Sequence, residues 1–254
     1  MTLNALVYQL RALGVGRGGV LLVHTSFRAL QPVAGGPAGL IDALQAALGP
    51  DGTLVMPSWP DDATAPFDPT TSDAAPDLGV VARTFWRQAG VRRSGHVQAF
   101  AAIGPQADAI LRDPLPLPPH ILASPVGRVY EQDGHVLLLG VGHEANTTLH
   151  LAEVLAGVPY GITHRCGATV DGRHTVVEYR ENDHCCARFA LADAWLREAG
   201  RQAEGPVGHG QARLMRARDV VDAALARLSP DPLLFLHDAG VGCDACDAAR
   251  ASIA

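Results

Sequence analysis

The hydrophobic positions of the chain fall into two patterns that alternate as far as Pro159. Short continuous apolar runs, such as 20–23 and 135–139, are typical of buried strands. Between them lie segments with a helical period, such as 37–48, which ends at a Pro-Asp-Gly turn. Residues 60–80 are rich in Asp, Pro, Thr and Ala without periodicity, so we predict a long loop there. The alternation of strands and helices predicts an α/β fold.

The pattern changes in the last third of the chain. Residues 164–181 surround an Asp-Gly pair, which predicts a β-hairpin. Two further helices and a short strand are predicted over 185–200, 217–228 and 232–237. No repeat or low-complexity linker divides the sequence. We therefore predict a single domain over residues 1–254, of α/β class, with a mixed-sheet core flanked by helices and an elaborated C-terminal part.

The composition of the chain limits the kinds of molecule that it can bind. The 254 residues are 48% hydrophobic and 18% charged, the net charge is −6, and all 20 basic residues are arginine. A mildly acidic chain lacks the basic surface that nucleic acid or an anionic membrane requires, but it can attract a small cation. The N-terminus lacks the features of a signal peptide, and five cysteines are an odd number for a disulfide scaffold. We expect a cytoplasmic protein.

A histidine and a carboxylate stand out in the apolar helical run after the strand 135–139. His150 and Glu153 are three residues apart, so on a helix their side chains are neighbours. A carboxylate in that position can orient an imidazole and stabilise its charged form, as a general base requires. The alternative is a core histidine bonded to a backbone carbonyl, with Glu153 facing solvent.

A second acidic pair lies in the segment "YRENDHCC", residues 179–186. Glu181 and Asp183 alternate, so on an extended segment both project from one face. Such a pair can hold a polyamine, or bind a metal together with His184. The alternative is a solvated loop in which Asp183 caps the following helix.

The cysteines suggest a metal site. Cys243 and Cys246 have the C-x2-C spacing of half a zinc site, and Cys166, Cys185 and Cys186 can complete it with His184. The alternative is a pair of reduced thiols near the C-terminus. We interpret any metal here as structural.

Two loops carry groups that bind anions. Residues 23–28 place small hydroxylated residues and Arg28 after a strand, and residues 92–96 contain two arginines, a serine and a histidine. Together they suggest a phosphorylated cofactor. No G-x-G-x-x-G or Walker motif is present, which disfavours NAD and ATP.

These stretches resemble the aminoglycoside 3-N-acetyltransferases, above all the type IV enzymes that act on apramycin and gentamicin. The resemblance extends over nearly the whole chain. Its most specific segments are "LLVHTSFRAL", "GPDGTLVMPSW", "PFDPTTSDAAPDLGVV", "ASPVGRVYE", "LLLGVGHEANTTLHLAE", "ENDHCCARFALADAWL" and "CDACDAARASI".

The resemblance implies transfer of acetyl from acetyl-CoA to the 3-amino group of a 2-deoxystreptamine ring, an activity that confers antibiotic resistance. It implies His150 as the general base, supported by Glu153, with Asp183 beside the reacting amine. Substrate contacts are expected at Glu181, Asp183 and Asp62. CoA contacts are expected at His24, Thr25, Ser26, Phe27, Arg28, Arg93, Ser94 and His96. For a structural zinc, the favoured ligands are His184, Cys186, Cys243 and Cys246, with Cys185 or Cys166 as substitutes.

Other functions remain open from the residues. One is a zinc-dependent hydrolase with His150, Asp183 and cysteines around a catalytic metal, and another is a non-catalytic aminoglycoside-binding protein. Acyl transfer through a cysteine thiol is a further route, but no cysteine has an evident histidine–carboxylate partner in the sequence. We expect a monomer or a homodimer.

Overall fold

The computed structural model describes residues 1–95, 98–112, 117–170 and 173–253. Within these residues the chain forms nine strands: β1 Val20–Thr25, β2 Thr53–Pro57, β3 Arg92–Arg93, β4 Phe100–Ile103, β5 His135–Leu139, β6 Ile162–Val170, β7 Arg173–Glu181, β8 Gln202–Val207 and β9 Gly210–Arg216. The same residues form ten helices: α1 Leu3–Leu13, α2 Phe27–Leu30, α3 Gly36–Leu48, α4 Gly79–Phe85, α5 Ala107–Leu111, α6 Pro125–Glu131, α7 Thr148–Ala156, α8 Leu191–Glu198, α9 Ala217–Leu228 and α10 Asp244–Ala251. None of these helices combines the length and hydropathy that a membrane span requires.

Seven strands form one mixed sheet in the order β3-β4-β2-β1-β5-β9-β8. Strand β1 lies at its centre and runs parallel to both β2 and β5. The outer strands are antiparallel to their neighbours. The predicted α/β class and mixed-sheet core are therefore confirmed.

Helices cover both faces of the sheet because the central strands are apolar on both sides. Alternate residues of a strand point to opposite faces. Leu22 and Leu138 accordingly pack into a core with α7 and α9, while Leu21 and Leu137 pack into a second core with α1 and α3. Continuous apolar runs are what a parallel sheet buried on both faces requires.

The carboxyl ends of β1 and β5 meet at one edge of the sheet. There the backbone N–H of Ser26 donates to the carbonyl of Leu139 at 2.8 Å. Gly140 follows with φ +67°, and a Cβ at this position would lie 2.6 Å from the Cβ of Ala29. Only glycine permits both the left-handed backbone and this close approach. The chain leaves β5 through this turn and enters α7, which carries His150.

The predicted hairpin is confirmed: β6 and β7 pair in antiparallel register from Ile162 opposite Glu181 to Val170 opposite Arg173. Its Asp-Gly turn, residues 171–172, lies outside the described residues. The hairpin contacts the long loop after β2, where the N–H of Gly167 donates to the carbonyl of Ala63 at 2.9 Å.

Two features of the C-terminal part differ from the prediction. The strand predicted at 232–237 is wrong: these residues form turns, and Phe235 and Leu236 are apolar because they are buried in the core. The β8–β9 hairpin was not predicted. Pro206 interrupts the pattern of β8, and a proline is tolerated there because β8 is an edge strand.

Candidate active site

A cleft of about 360 Å³ opens at the carboxyl ends of β1 and β5. Its walls come from the end of β1, the loop after β2 and the segment leading into α7, with Trp59, Asn146 and Thr147 among the lining residues. His150 and Cys186 also reach this cleft. Ligands of open α/β sheets typically bind at this edge.

His150 and Glu153 are brought together as predicted. On α7 the Nδ1 atom of His150 lies 2.8 Å from Oε2 of Glu153. The Glu153 side chain is fully buried, whereas that of His150 is 16% exposed. The alternative, with Glu153 facing solvent, is therefore contradicted. The carboxylate orients one imidazole nitrogen, and the ring itself lines the cleft.

Glu153 is the centre of a buried polar network. Its Oε1 atom accepts hydrogen bonds from the Tyr160 hydroxyl and from Nε2 of His184, the latter at 2.8 Å. Burial opposes ionisation, but the hydrogen bonds from His150 and His184 outweigh it and lower the pKa of Glu153 to about 2. The carboxylate is therefore charged, and it holds two imidazoles at once.

Cys186 contacts the second ring nitrogen of His150. Its sulfur lies 3.4 Å from Nε2 of that ring. Burial disfavours the imidazolium, but the hydrogen bonds with Cys186 and Glu153 raise the pKa of His150 well above its usual value. Cys186 therefore has a histidine–carboxylate partner that is not evident in the sequence. Position 186 is 36 residues from position 150, so sequence spacing gave no signal of this contact.

The two predicted acidic residues each lie beside a histidine. Oε1 of Glu181 is 3.1 Å from Nδ1 of His120, and Oδ2 of Asp183 is 3.2 Å from Nε2 of His164. The Glu181 side chain is 11% exposed and that of Asp183 is 50% exposed. The His120 ring stacks on His150 with a centroid distance of 4.9 Å. Glu181 therefore adjoins the base through His120, which sequence reasoning missed, whereas Asp183 lies beside His164.

Asp183 does not cap the helix that follows. The next helical turn begins at Ala187, and its N-cap position is held by Cys186. Asp62 lies on the exposed part of the long loop, where Oδ1 accepts from the backbone N–H of Thr64 at 2.8 Å.

The first predicted cofactor loop lies next to the cleft. His24 and Thr25 line it, and Nε2 of His24 is 3.3 Å from Oγ1 of Thr147. Burial lowers the pKa of His24 to about 3, so this ring is neutral and offers no charge to a phosphate. Ser26 and Phe27 are half-buried and Arg28 is exposed.

Two residues of the second predicted cofactor loop make contacts inside the protein. The Arg93 guanidinium donates to the carbonyl of Ser58 at 2.8 Å and stacks over the rings of Phe67 and Trp86. The hydroxyl of Ser94 is buried and accepts from the N–H of Phe100 at 3.0 Å. Arg93 and Ser94 have partners inside the protein, and their contact with CoA stays a prediction. His96 lies outside the described residues.

Three cysteines and a histidine gather beside the site, but they are not the predicted set. The sulfurs of Cys185 and Cys246 are 3.6 Å apart, and Cys185, His237 and Cys243 place one ligand atom each within 4.8 Å of one another. Cys186 points to His150 instead. Cys166, the other substitute considered, is buried in β6 in a separate cluster with Phe67 and Tyr179.

The predicted ligand His184 lies beside the cysteine cluster, with a ring nitrogen within 4.8 Å of the sulfurs of Cys185 and Cys246. Its Nε2 atom bonds to Glu153 and its Nδ1 atom accepts from the backbone N–H of Cys186 at 3.0 Å. Both ring nitrogens are therefore occupied. His237, which sequence reasoning missed, is the imidazole beside Cys185 and Cys243.

Comparison with known proteins gives consistent results. The family model described as aminoglycoside 3-N-acetyltransferase matches residues 22–229. Aminoglycoside N(3)-acetyltransferase IV from Salmonella sp. is 64% identical over 232 residues, which cover 91% of this chain and 89% of that protein.

Solved structures agree closely with the fold. The apoenzyme of the aminoglycoside acetyltransferase AAC(3)-IVa superposes with a TM-score of 0.96 at 62% identity, covering 99% of this chain and 97% of that one. A histidine-to-alanine mutant of AAC(3)-IVa in complex with a gentamicin superposes with a TM-score of 0.95 at 63% identity, covering 98% and 96%.

Proposed function

Because the chain belongs to the aminoglycoside 3-N-acetyltransferase family, we propose that it transfers acetyl from acetyl-CoA to the 3-amino group of the 2-deoxystreptamine ring of aminoglycosides. The observation that most supports this function is the His150–Glu153 pair. The Glu153 side chain is fully buried, and His150 lines the cleft. Loss of a cationic amine from the antibiotic would make the activity one of resistance, exerted in the cytoplasm.

The chemistry requires a base at the amine. An amine at neutral pH is mostly protonated, and only its neutral form can attack a thioester. When His150 is neutral, its Nε2 atom would accept a proton from the nitrogen as the neutral amine attacks the thioester carbonyl, while Glu153 holds the ring through Nδ1 and stabilises the imidazolium. His150 would then return the proton to the leaving CoA sulfur.

The test of this function is release of CoA thiol that depends on an added aminoglycoside. Gentamicin, apramycin and kanamycin should be compared with an amine that is not an aminoglycoside. We expect release with at least one of the three and none with the control amine. Binding of a drug without CoA release would favour the non-catalytic alternative.

The acidic pair is suited to the drug. An aminoglycoside carries several ammonium groups, and carboxylates hold these by charge-assisted hydrogen bonds. Asp183 is the accessible member of the pair. Glu181 contacts His120, whose ring stacks on His150. We infer that Asp183 contacts an ammonium group directly, and that Asp62 on the neighbouring loop contributes at the outer rim.

Replacing Asp183 with alanine should raise the KM for the aminoglycoside by about 10-fold or more, since a hydrogen bond to a charged group contributes roughly 1.5–3 kcal/mol. The KM for acetyl-CoA should stay the same. Steady-state kinetics with each substrate varied in turn provides the measurement. Glu178→Ala, an exposed carboxylate on the same hairpin, is the control, and a rise confined to the acetyl-CoA KM would place Asp183 on the wrong side of the site.

CoA is expected on the side of the cleft formed by His24 and Thr25, with half-buried Ser26 and exposed Arg28 following in the chain. Neutral hydroxyls and backbone groups at the end of β1 suit the polar part of the pantetheine arm. Among the members of the predicted set that the structure describes, Arg28 is an exposed cation and is available for a phosphate.

The cysteine cluster fits a structural zinc. Three thiols and one imidazole are a known tetrahedral zinc set. Cys185 lies within 4.8 Å of ligand atoms of His237 and Cys243 in one group and of His184 and Cys246 in another. We infer that the ligands are Cys185, Cys243, Cys246 and His237, because both ring nitrogens of His184 are already bonded. The site would tie α10 to the segment after β7. A bound zinc there would supply stability, and no step of the transfer would pass through it.

Metal analysis of protein purified without chelator should find about one zinc per chain. The Cys243→Ala, Cys246→Ala double variant should lose it and melt at a lower temperature. Cys166→Ala removes a cysteine outside the cluster and should keep the zinc. Metal-free wild-type protein, together with an unchanged Tm in the double variant, would contradict the site. Loss of acetyl transfer in a chelated enzyme that remains fully folded would instead favour the zinc-hydrolase alternative.

A further inference from the structure

A thiol, an imidazole and a carboxylate contact one another in turn, and the thiol and the imidazole line the cleft. The sulfur of Cys186 is 3.4 Å from Nε2 of His150, and Nδ1 of the same ring is 2.8 Å from Oε2 of Glu153. A nucleophile within reach of a base that a third group orients is the arrangement of covalent catalysis. The proposed amine acetylation uses the base and the carboxylate but leaves the sulfur without a role.

The sulfur is held in place by the same network. Cys186 has φ +57° and ψ 0°, a left-handed backbone that non-glycine residues seldom adopt. Its N–H donates to Nδ1 of His184 at 3.0 Å, and Nε2 of His184 is bonded to Glu153. One buried carboxylate therefore positions both the base and the turn that presents the thiol.

The sulfur also lies where the acyl group must arrive. Nε2 of His150 is the atom that would take the proton of the attacking amine, so the amine must come close to it. In the structure Cys186 occupies that position, and both residues line the cleft. A thioester carbonyl placed for attack by the amine is consequently also within reach of the thiol.

We propose that Cys186 is an acyl acceptor, which takes the acetyl group from acetyl-CoA when no aminoglycoside occupies the cleft. The inference rests on the proposed use of acetyl-CoA. As the sulfur attacks the thioester carbonyl, the proton that it shared with Nε2 of His150 stays on the ring, and a new carbon–sulfur bond forms. The bond to the CoA sulfur breaks, and His150 gives the proton to that sulfur. One thioester replaces another, so no oxidant, reductant or further reactant is needed.

The acetyl group can leave Cys186 in two ways, by transfer to an amine or to water. His150 is then neutral and no longer bonded to a thiol, so it can accept a proton from an incoming amine or from water. Attack on the acetyl carbon breaks its bond to Cys186, and the thiol regains a proton from His150. With an aminoglycoside the product is the N-acetylated drug, and with water it is acetate. Slow consumption of acetyl-CoA without drug is therefore a second activity of the site.

The test uses wild-type enzyme purified without chelator and acetyl-CoA labelled in the acetyl group, with no aminoglycoside present. After an acid quench, intact mass should show one added acetyl group. Cleavage after Arg180 and Arg188 gives a peptide with both Cys185 and Cys186, and fragmentation should place the label on Cys186. Buried Cys166 in the same digest is the internal control and should be unlabelled. Addition of an aminoglycoside before the quench should remove the label.

The matching variant is Cys186→Ala. It should take up no label and should lose the drug-independent release of CoA, whether or not the acetylated form accumulates in the wild type. If wild-type enzyme shows neither label on Cys186 nor any drug-independent release that this substitution removes, while drug-dependent release proceeds, the proposal is overturned and the proposed function stands. Absence of drug-dependent release in the wild type would instead be the failure of the proposed function.

Discussion

Replacing His150 with alanine is expected to lower kcat for acetyl transfer by about 10²–10⁴-fold, the usual cost of losing a general base. The structure gives the reason. The ring is the group in the cleft that combines a nitrogen bonded to a buried carboxylate with a second nitrogen facing the substrate side. Alanine leaves Glu153 with its hydrogen bonds from His184 and Tyr160, so the fold should survive.

The measurement is kcat with both substrates saturating, alongside a thermal melt. His209→Ala is the matched control, since His209 is exposed in the turn between β8 and β9 and should leave kcat unchanged. A folded His150→Ala variant that kept more than about a third of wild-type kcat would show that the proton is taken by another group.

Replacing Glu153 with glutamine should have an effect of similar size on kcat and a larger one on stability. Glutamine keeps the shape but removes the charge, and its amide nitrogen cannot accept the hydrogen bond of an imidazole. At least one of the contacts with His150 and His184 would be lost inside the protein. Breaking a buried charge pair costs about 3–5 kcal/mol, which at this chain length lowers Tm by roughly 6 °C or more.

The control for Glu153→Gln is Glu198→Gln, the same change at an exposed position at the end of α8. Both variants should be assayed for kcat and melted under identical conditions. An unchanged Tm together with wild-type kcat in Glu153→Gln would mean that the carboxylate neither supports the fold nor orients the base.

The local sequence determined the central architecture and the catalytic pair. The apolar runs of β1 and β5 predicted strands buried on both faces, and that is how they pack. His150 and Glu153 could be paired from their spacing because neighbours on one helix face are set by the helical period alone. Each of these predictions depends on residues close together in the chain.

The tertiary structure alone decided the partners of the cysteines. Cys185 and Cys186 are adjacent in sequence, yet the left-handed turn at Cys186 sends one sulfur to Cys246, 61 residues away, and the other to His150. Spacing within the chain holds no information on such contacts, because they depend on how α7, α10 and the segment after β7 pack together. The same holds for His237, which no motif connects to the cysteines.

In the C-terminal part, the apolar residues 232–237 correctly indicated burial but not the conformation of the backbone. Phe235 packs edge-on against Phe189 at 4.7 Å in the core, and this burial requires an apolar residue whether the backbone is a strand or a turn. The same holds for polar residues such as Arg93. A basic side chain next to a serine suggests an anion-binding site in the sequence, but the fold shows that Arg93 bonds to a carbonyl and stacks on an aromatic ring. Hydrophobicity and charge are properties of single residues and can be read along the chain. Hydrogen-bond partners are properties of pairs, and for residues far apart in sequence only the folded chain determines them.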